Sequence, residues 1–319
     1  MNSQAQCTAM GSSAAATPGR SMQRLQGLQS MTKPHLLQLP GFVRWGIGID
    51  TAPAWLWLVL LAGAAWPTAF WMGQRMLDGS DDPLGLLALA ALAVLTWCSR
   101  RKLRAAPRLH WLAAGLLAAV VATVAQGLLP PLAVALVALL GLAAGLAAFL
   151  PASIATTPVL CLSVLSLPLL ASLQFYAGFP LRIITAEASR WLLQLGYAVE
   201  RSGASLRVDG RLVIVDAPCS GVQMVWFGYF TACVVAVYLG RADRTFLARL
   251  PAVSVLVLFG NVLRNTVLVA AEGSGRHLPG WAHDAVGLVV LAAVCAAIAS
   301  VMARGTAVAA STAQRQRHV

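Results

Sequence analysis

Eight apolar stretches of roughly twenty residues constrain this chain more than anything else in it; they lie near 52–72, 83–98, 109–129, 131–150, 157–177, 219–240, 250–271 and 284–303. About 20 mostly apolar residues in a helix cross the hydrocarbon core of a bilayer. With 59% hydrophobic and only 11% charged residues over 319 positions, the chain does not read as a soluble domain around one core. Inside lipid every backbone polar group must be satisfied within its own segment, so such stretches are helices. The expected fold is an all-α polytopic membrane protein of about eight transmembrane helices.

The net charge of +12 invites a nucleic-acid reading, but the basic residues sit on alternate loops instead of forming one patch. The segments 1–50, 99–108, 241–249 and 304–319 hold fifteen Lys/Arg against two acids, Asp50 and Asp243, whereas the intervening loops hold seven against nine. Cytoplasmic loops carry the Lys/Arg excess, so both termini are expected in the cytoplasm. The partner this charge implies is the bilayer, and no nucleic acid is expected.

Residues 1–50 are rich in Ser, Ala, Gln and Gly and lack a cleavable leader pattern, so a disordered cytoplasmic tail is expected there. The membrane domain is expected over 51–304 and a second cytoplasmic tail over 305–319. The six cysteines, Cys7, Cys98, Cys161, Cys219, Cys233 and Cys295, show no metal-ligand spacing, so neither a metal nor another cofactor is expected. Buried cysteine usually behaves as a small hydrophobe, which suits Cys98, Cys161, Cys233 and Cys295.

Residues 178–218 differ from the apolar runs around them. From Ile184 through Ala188, Trp191, Leu192, Leu195 and Val199 apolar residues recur every three to four, with Glu187, Arg190 and Gln194 on the other face, as in a helix lying in the membrane interface. Leu206–Val215 then reads as two short strands around Asp209-Gly210, a strong hairpin signal. A small helix-plus-hairpin cap on the outer face is therefore expected.

Three polar residues at apolar positions fall in the same outer layer once the sides alternate. Cys219 follows the hairpin at the start of the sixth stretch, Arg264 lies about 12 Å below the outer end of the seventh, and His283 opens the eighth. A guanidinium at that depth costs several kcal/mol unless it is paired or lines a wet cavity, which marks a functional site. In such a layer Cys219 is the nucleophile once deprotonated, and His283 can take that proton and return it to a leaving amine. Arg264, which stays charged, can stabilise an oxyanion. Asn261 and Asn265 flank it and are expected to hold its orientation by hydrogen bonds, while Ser220 and Gly221 complete the segment after the cysteine. Taken singly, each has a plainer reading: a packed cysteine, an interfacial histidine, an arginine snorkelling to the headgroups or pairing with Glu272. Asp216 is read as a solvated charge, and His277 is given no role.

The run Asp216-Ala217-Pro218-Cys219-Ser220-Gly221, then Asn261-Val262-Leu263-Arg264-Asn265, then His283-Asp284-Ala285-Val286-Gly287 resembles the exosortase/archaeosortase family. The resemblance covers roughly 150–300 and extends to the hairpin before the cysteine. Many members carry Leu or Ile and then Arg after Cys-Ser-Gly, where this chain has Val222-Gln223, so no subtype is named. The resemblance implies a polytopic cysteine protease or transpeptidase-like sorting enzyme of the bacterial inner membrane, with Cys219 as nucleophile, Arg264 as transition-state stabiliser and His283 as acid/base. It implies as partners exported proteins ending in a short motif such as Pro-Glu-Pro (PEP-CTERM), a transmembrane helix and a basic tail, in connection with exopolysaccharide or envelope assembly. It names neither the acceptor nor the oligomeric state. Two other classes compete: a transporter using Arg264 and His283 as ion contacts, and a non-catalytic membrane subunit of a polysaccharide assembly system. An intramembrane serine protease fits less well, for want of a Gly-x-Ser-x-Gly elbow.

Overall fold

A computed structural model describes residues 52–79, 81–214, 220–275 and 279–304. The expected tails at 1–50 and 305–319 lie outside the described residues, as do Cys219, Asp216 and His277. The elements run α1 (Ala54–Ala64), α2 (Trp66–Leu77), α3 (Gly85–Ser99), α4 (Leu109–Val124), α5 (Pro131–Phe149), α6 (Thr156–Leu165) and α7 (Leu170–Leu193). Strands β1 (Val199–Ser202), β2 (Ser205–Val208) and β3 (Arg211–Ile214) follow, then α8 (Val222–Tyr238), α9 (Asp243–Gly273) and α10 (Gly280–Ala303).

Among the described residues α5, α9 and α10 are long and apolar enough to cross a membrane, and the bent pairs α1–α2 and α6–α7 raise the number of crossings to five if each is one span. The helices α3, α4 and α8 have 15, 16 and 17 residues. At 1.5 Å per residue they reach only about 23–26 Å, short of the roughly 30 Å of hydrocarbon. By length, then, five of the eight expected stretches at most qualify as full crossings. Prolines explain both bends. Pro67 sits in the first turn of α2, after a 60° change of direction. Pro168 lies in the short break between α6 and α7, where the axis turns by 92°. A proline removes an N–H and its ring collides with the carbonyl four residues earlier, so it favours a kink or a break in the helix. The carbonyl of Leu165 that α6 leaves open accepts the Trp226 indole N–H at 3.1 Å, as a membrane-depth break requires.

This bend moves a boundary. The interfacial helix expected to start near 184 is instead the second half of α7, which begins at Leu170 and runs through Pro180. Its apolar residues Ile184, Trp191 and Leu192 stay exposed, and the helix turns Thr185, Ala186, Ser189 and Leu193 toward the bundle.

The most enclosed helix is α5, with 67% of its apolar window buried against 17% for α10. Small residues allow this: a Cβ at Gly115 of α4 would lie 2.9 Å from the carbonyl oxygen of Gly141 on α5, so the two backbones touch. A second core joins α8, α9 and α10 through Met224, Cys233, Phe246, Val257, Ile298 and Met302.

The sheet has three antiparallel strands in the order β1-β2-β3, where the sequence pattern suggested two. The β2–β3 turn is Asp209-Gly210 with φ of 46° and 84°, the left-handed pair that a two-residue hairpin needs. The additional strand β1 pairs Val199 with Val208 and Ser202 with Ser205 across a Gly203-Ala204 turn. Leu206, Val208 and Val213 pack on Ala186 and Leu193 of α7 and on Leu268 and Val269 of α9.

Contacts between loops sort them into two ends of the bundle. At one end the Arg104 and Arg108 N–H groups donate to the carbonyls of Phe149 and Ala148. There the Thr157 N–H also donates to Asp243, and Arg241 and Arg249 donate to the carbonyls of Ala303 and Met302 that close α10. At the other end the Ala171 N–H donates to Asp81, Gln223 donates to Asp82, and Val208 lies against Gly273. Thus the described loops with the Lys/Arg excess meet at one end, and the sheet and the start of α10 stand at the other.

Candidate functional site

Four helices converge where β3 gives way to α8. The chain is described again from Ser220, a residue only 2% exposed, whose hydroxyl donates to the Gln174 side-chain oxygen on α7 at 2.8 Å. Gly221 follows with φ 86°, a left-handed conformation open to glycine at little cost. A Cβ added there would stand 2.6 Å from the side-chain carbon of Asn261, so α8 begins in direct contact with α9. Only glycine satisfies both the turn and the approach.

Along α9, Arg264 and Asn265 stand one turn after Asn261. Asn261 and Asn265 are 3% and 2% exposed, and burial at that level requires hydrogen bonds. Asn261 donates to the Thr185 hydroxyl at 3.0 Å and Asn265 to the Ser189 hydroxyl at 2.9 Å, both on α7. Ser189 in turn donates to the Val262 carbonyl at 3.3 Å. Thr185 and Ser189 are spaced by four, as are the two asparagines, so one turn of each helix matches one turn of the other. These bonds clamp α9 to α7 on either side of Arg264. The two amides were expected to hold the orientation of Arg264 by hydrogen bonds, and the bonds they make to α7 fix the helix that carries it.

Arg264 is half-buried and its guanidinium lies on α10. A Cβ at Gly287 would sit 3.1 Å from its Nε and 3.3 Å from its Cζ, so the absence of a side chain at Gly287 makes the seat for the arginine. His283 is one helical turn before Gly287 on the same face of α10. Its side chain is 31% exposed, and its Nδ1 stands 3.8 Å from a carboxylate oxygen of Asp284, itself 88% exposed.

The structure therefore brings Gly221 onto Asn261 and Arg264 onto Gly287, one turn after His283, with Ser220 and Asn265 tied to α7, and Cys219, one residue before Ser220, lies outside the described residues. Among the described residues no three of His, Cys, Asp and Glu are gathered so as to hold a metal.

Three contributors went unnoticed in the sequence. Gln174 is an amide inside an apolar stretch, and the reasoning that singled out Arg264 would have found it. Thr185 and Ser189 carry only short hydroxyls and give no such signal. Gln223, read only as a departure from the family pattern, donates to Asp82 at 3.1 Å and ties the start of α8 to the loop before α3.

A family model described as transmembrane exosortase matches residues 76–300, which is 225 of the 319 positions. No curated protein and no solved structure matched.

Proposed function

Because the chain belongs to the transmembrane exosortase family, a membrane-embedded group of sorting enzymes, we propose that it cleaves the C-terminal sorting signal of exported proteins with Cys219 as nucleophile. The observation that carries this reading is the contact of Gly221 with Asn261, two residues after the cysteine and one turn before Arg264, together with the seat of Arg264 on Gly287, one turn after His283. An imidazole one turn before Gly287 and a guanidinium seated on Gly287 supply the base and the cation that a thiol lacks in ordinary surroundings. His283 takes the Cys219 proton, since the thiolate and not the thiol attacks. The sulfur then bonds to the carbonyl carbon of the sorting motif, and Arg264 stabilises the oxyanion formed. Collapse breaks the C–N bond; His283 returns its proton to the leaving amine, releasing the substrate's transmembrane helix and leaving a thioacyl enzyme. Water or an acceptor nucleophile resolves that ester and restores the thiol.

On this reading the site belongs to the outer leaflet of the inner membrane, with the sheet of β1–β3 as its cap and eight apolar segments in the bilayer. A motif placed just outside a substrate helix meets such a site without leaving the membrane surface. Replacing Cys219 with Ala tests it: the protein still inserts, while a co-expressed substrate with a short motif, an apolar helix and a basic tail keeps its C-terminal helix. Normal processing of that substrate by the Cys219→Ala chain overturns the proposal.

A further inference from the structure

A cavity of about 450 Å³ lies between α1, α3 and α5, away from the convergence of Gly221, Arg264 and His283. Leu139, Ala143 and Leu146 of α5 form its floor, with Ser163 of α6; Leu58 and Ala62 of α1 stand on one side, and α3 from Leu89 to Arg100 on the other. The polar groups in the lining are already satisfied locally: the Thr96 hydroxyl donates to the Leu92 carbonyl and Ser163 to Val159. What remains is an apolar surface. Ala93, Trp97 and Arg100 are exposed at its rim, so the groove faces the lipid side of the bundle.

Two features decide the occupant. From Leu89 to Arg100 is eleven residues, about 16 Å along a helix, which is close to half of the roughly 30 Å hydrocarbon core and so the depth of a single leaflet. At the end of that run stands the Arg100 guanidinium, 3.9 Å from the centre of the Trp97 ring, with one of its five N–H donors on the Trp97 carbonyl at 2.9 Å. The cation leads into the loop of Arg101, Lys102, Arg104 and Arg108, which contains no acid. A groove one leaflet deep that ends in a fixed cation matches an acyl chain bearing an anionic headgroup. We propose that this groove binds one anionic phospholipid, its acyl chain along α3 and its phosphate on Arg100, at the end of the bundle remote from His283. The site is independent of the reaction proposed for Cys219.

The test uses the full chain in phosphatidylcholine nanodiscs containing a trace of phosphatidylglycerol or phosphatidylcholine with a nitroxide on the acyl chain. Spin resonance then measures the immobilised fraction of each. A cation near the bilayer surface favours an anionic lipid by about fivefold, so phosphatidylglycerol is expected to be held about fivefold more strongly. Arg100→Gln brings the two lipids to within twofold of each other, Arg101→Gln removes the same charge from outside the groove and preserves the preference, and Ala93→Trp obstructs the mouth and lowers the immobilised fraction. All three positions are exposed, so the fold tolerates the changes. Equal retention of the two lipids by the parent chain, an unchanged preference in Arg100→Gln, an equal loss in Arg101→Gln, or unchanged immobilisation in Ala93→Trp overturns the proposal.

Discussion

Gly221 takes a left-handed φ of 86° while its Cα touches the Asn261 side chain, and the two demands can be separated by mutation. An L residue in that conformation costs about 1–2 kcal/mol. Gly221→Ala adds a Cβ that must also push the amide away, so the loss of stability in a detergent melt is expected to exceed that range. Adding Asn261→Ala recovers the steric part and leaves the backbone part; strictly additive losses would show that the two residues do not meet. Arg264 and His283 could be recognised as functional candidates from sequence because a charge or an imidazole at an apolar position is costly wherever the helix packs. The partners Thr185 and Ser189 could not, since a short hydroxyl in a helix can satisfy itself on its own backbone.

Among the elements, the small sheet depends for its position on a close approach to the end of α9. Its strands are only four residues each, too short to stand alone, and they hold because Leu206, Val208 and Val213 rest on α7 and α9. At Gly273 a Cβ would lie 2.8 Å from Val208, at the end of α9. Gly273→Val is therefore expected to lift the sheet and expose the turns at Gly203 and Gly210 to protease at least several-fold faster, with the core of α8, α9 and α10 intact. An unchanged cleavage rate would mean that the sheet is not seated there. The Asp-Gly turn was legible because its chemistry is local. Strand β1 was missed because Val199-Glu200-Arg201-Ser202 lacks alternation, and its pairing with β2 supplies what its pattern does not.

For the whole molecule, the separation of the loops into two ends makes a prediction about sidedness. If the Lys/Arg-rich end is cytoplasmic, then in a chain whose own cysteines are replaced by serine, Lys102→Cys reacts with a membrane-impermeant maleimide only after cells are opened, and Ser274→Cys reacts in intact spheroplasts. The reverse pattern would invert the proposed orientation, and labelling of both from outside would break the alternation itself. By itself the sequence determined which segments are apolar, the charge of each loop and which three polar side chains stand at apolar positions, because hydrophobicity, charge and turn preference act over one segment at a time. Only the tertiary structure decided that α6 and α7 turn by 92° at Pro168, that α7 thereby presents Thr185 and Ser189 to the asparagines of α9, and that Gly287 makes the seat for Arg264. Such contacts join residues tens of positions apart, and their existence depends on how helices cross, which no single segment encodes.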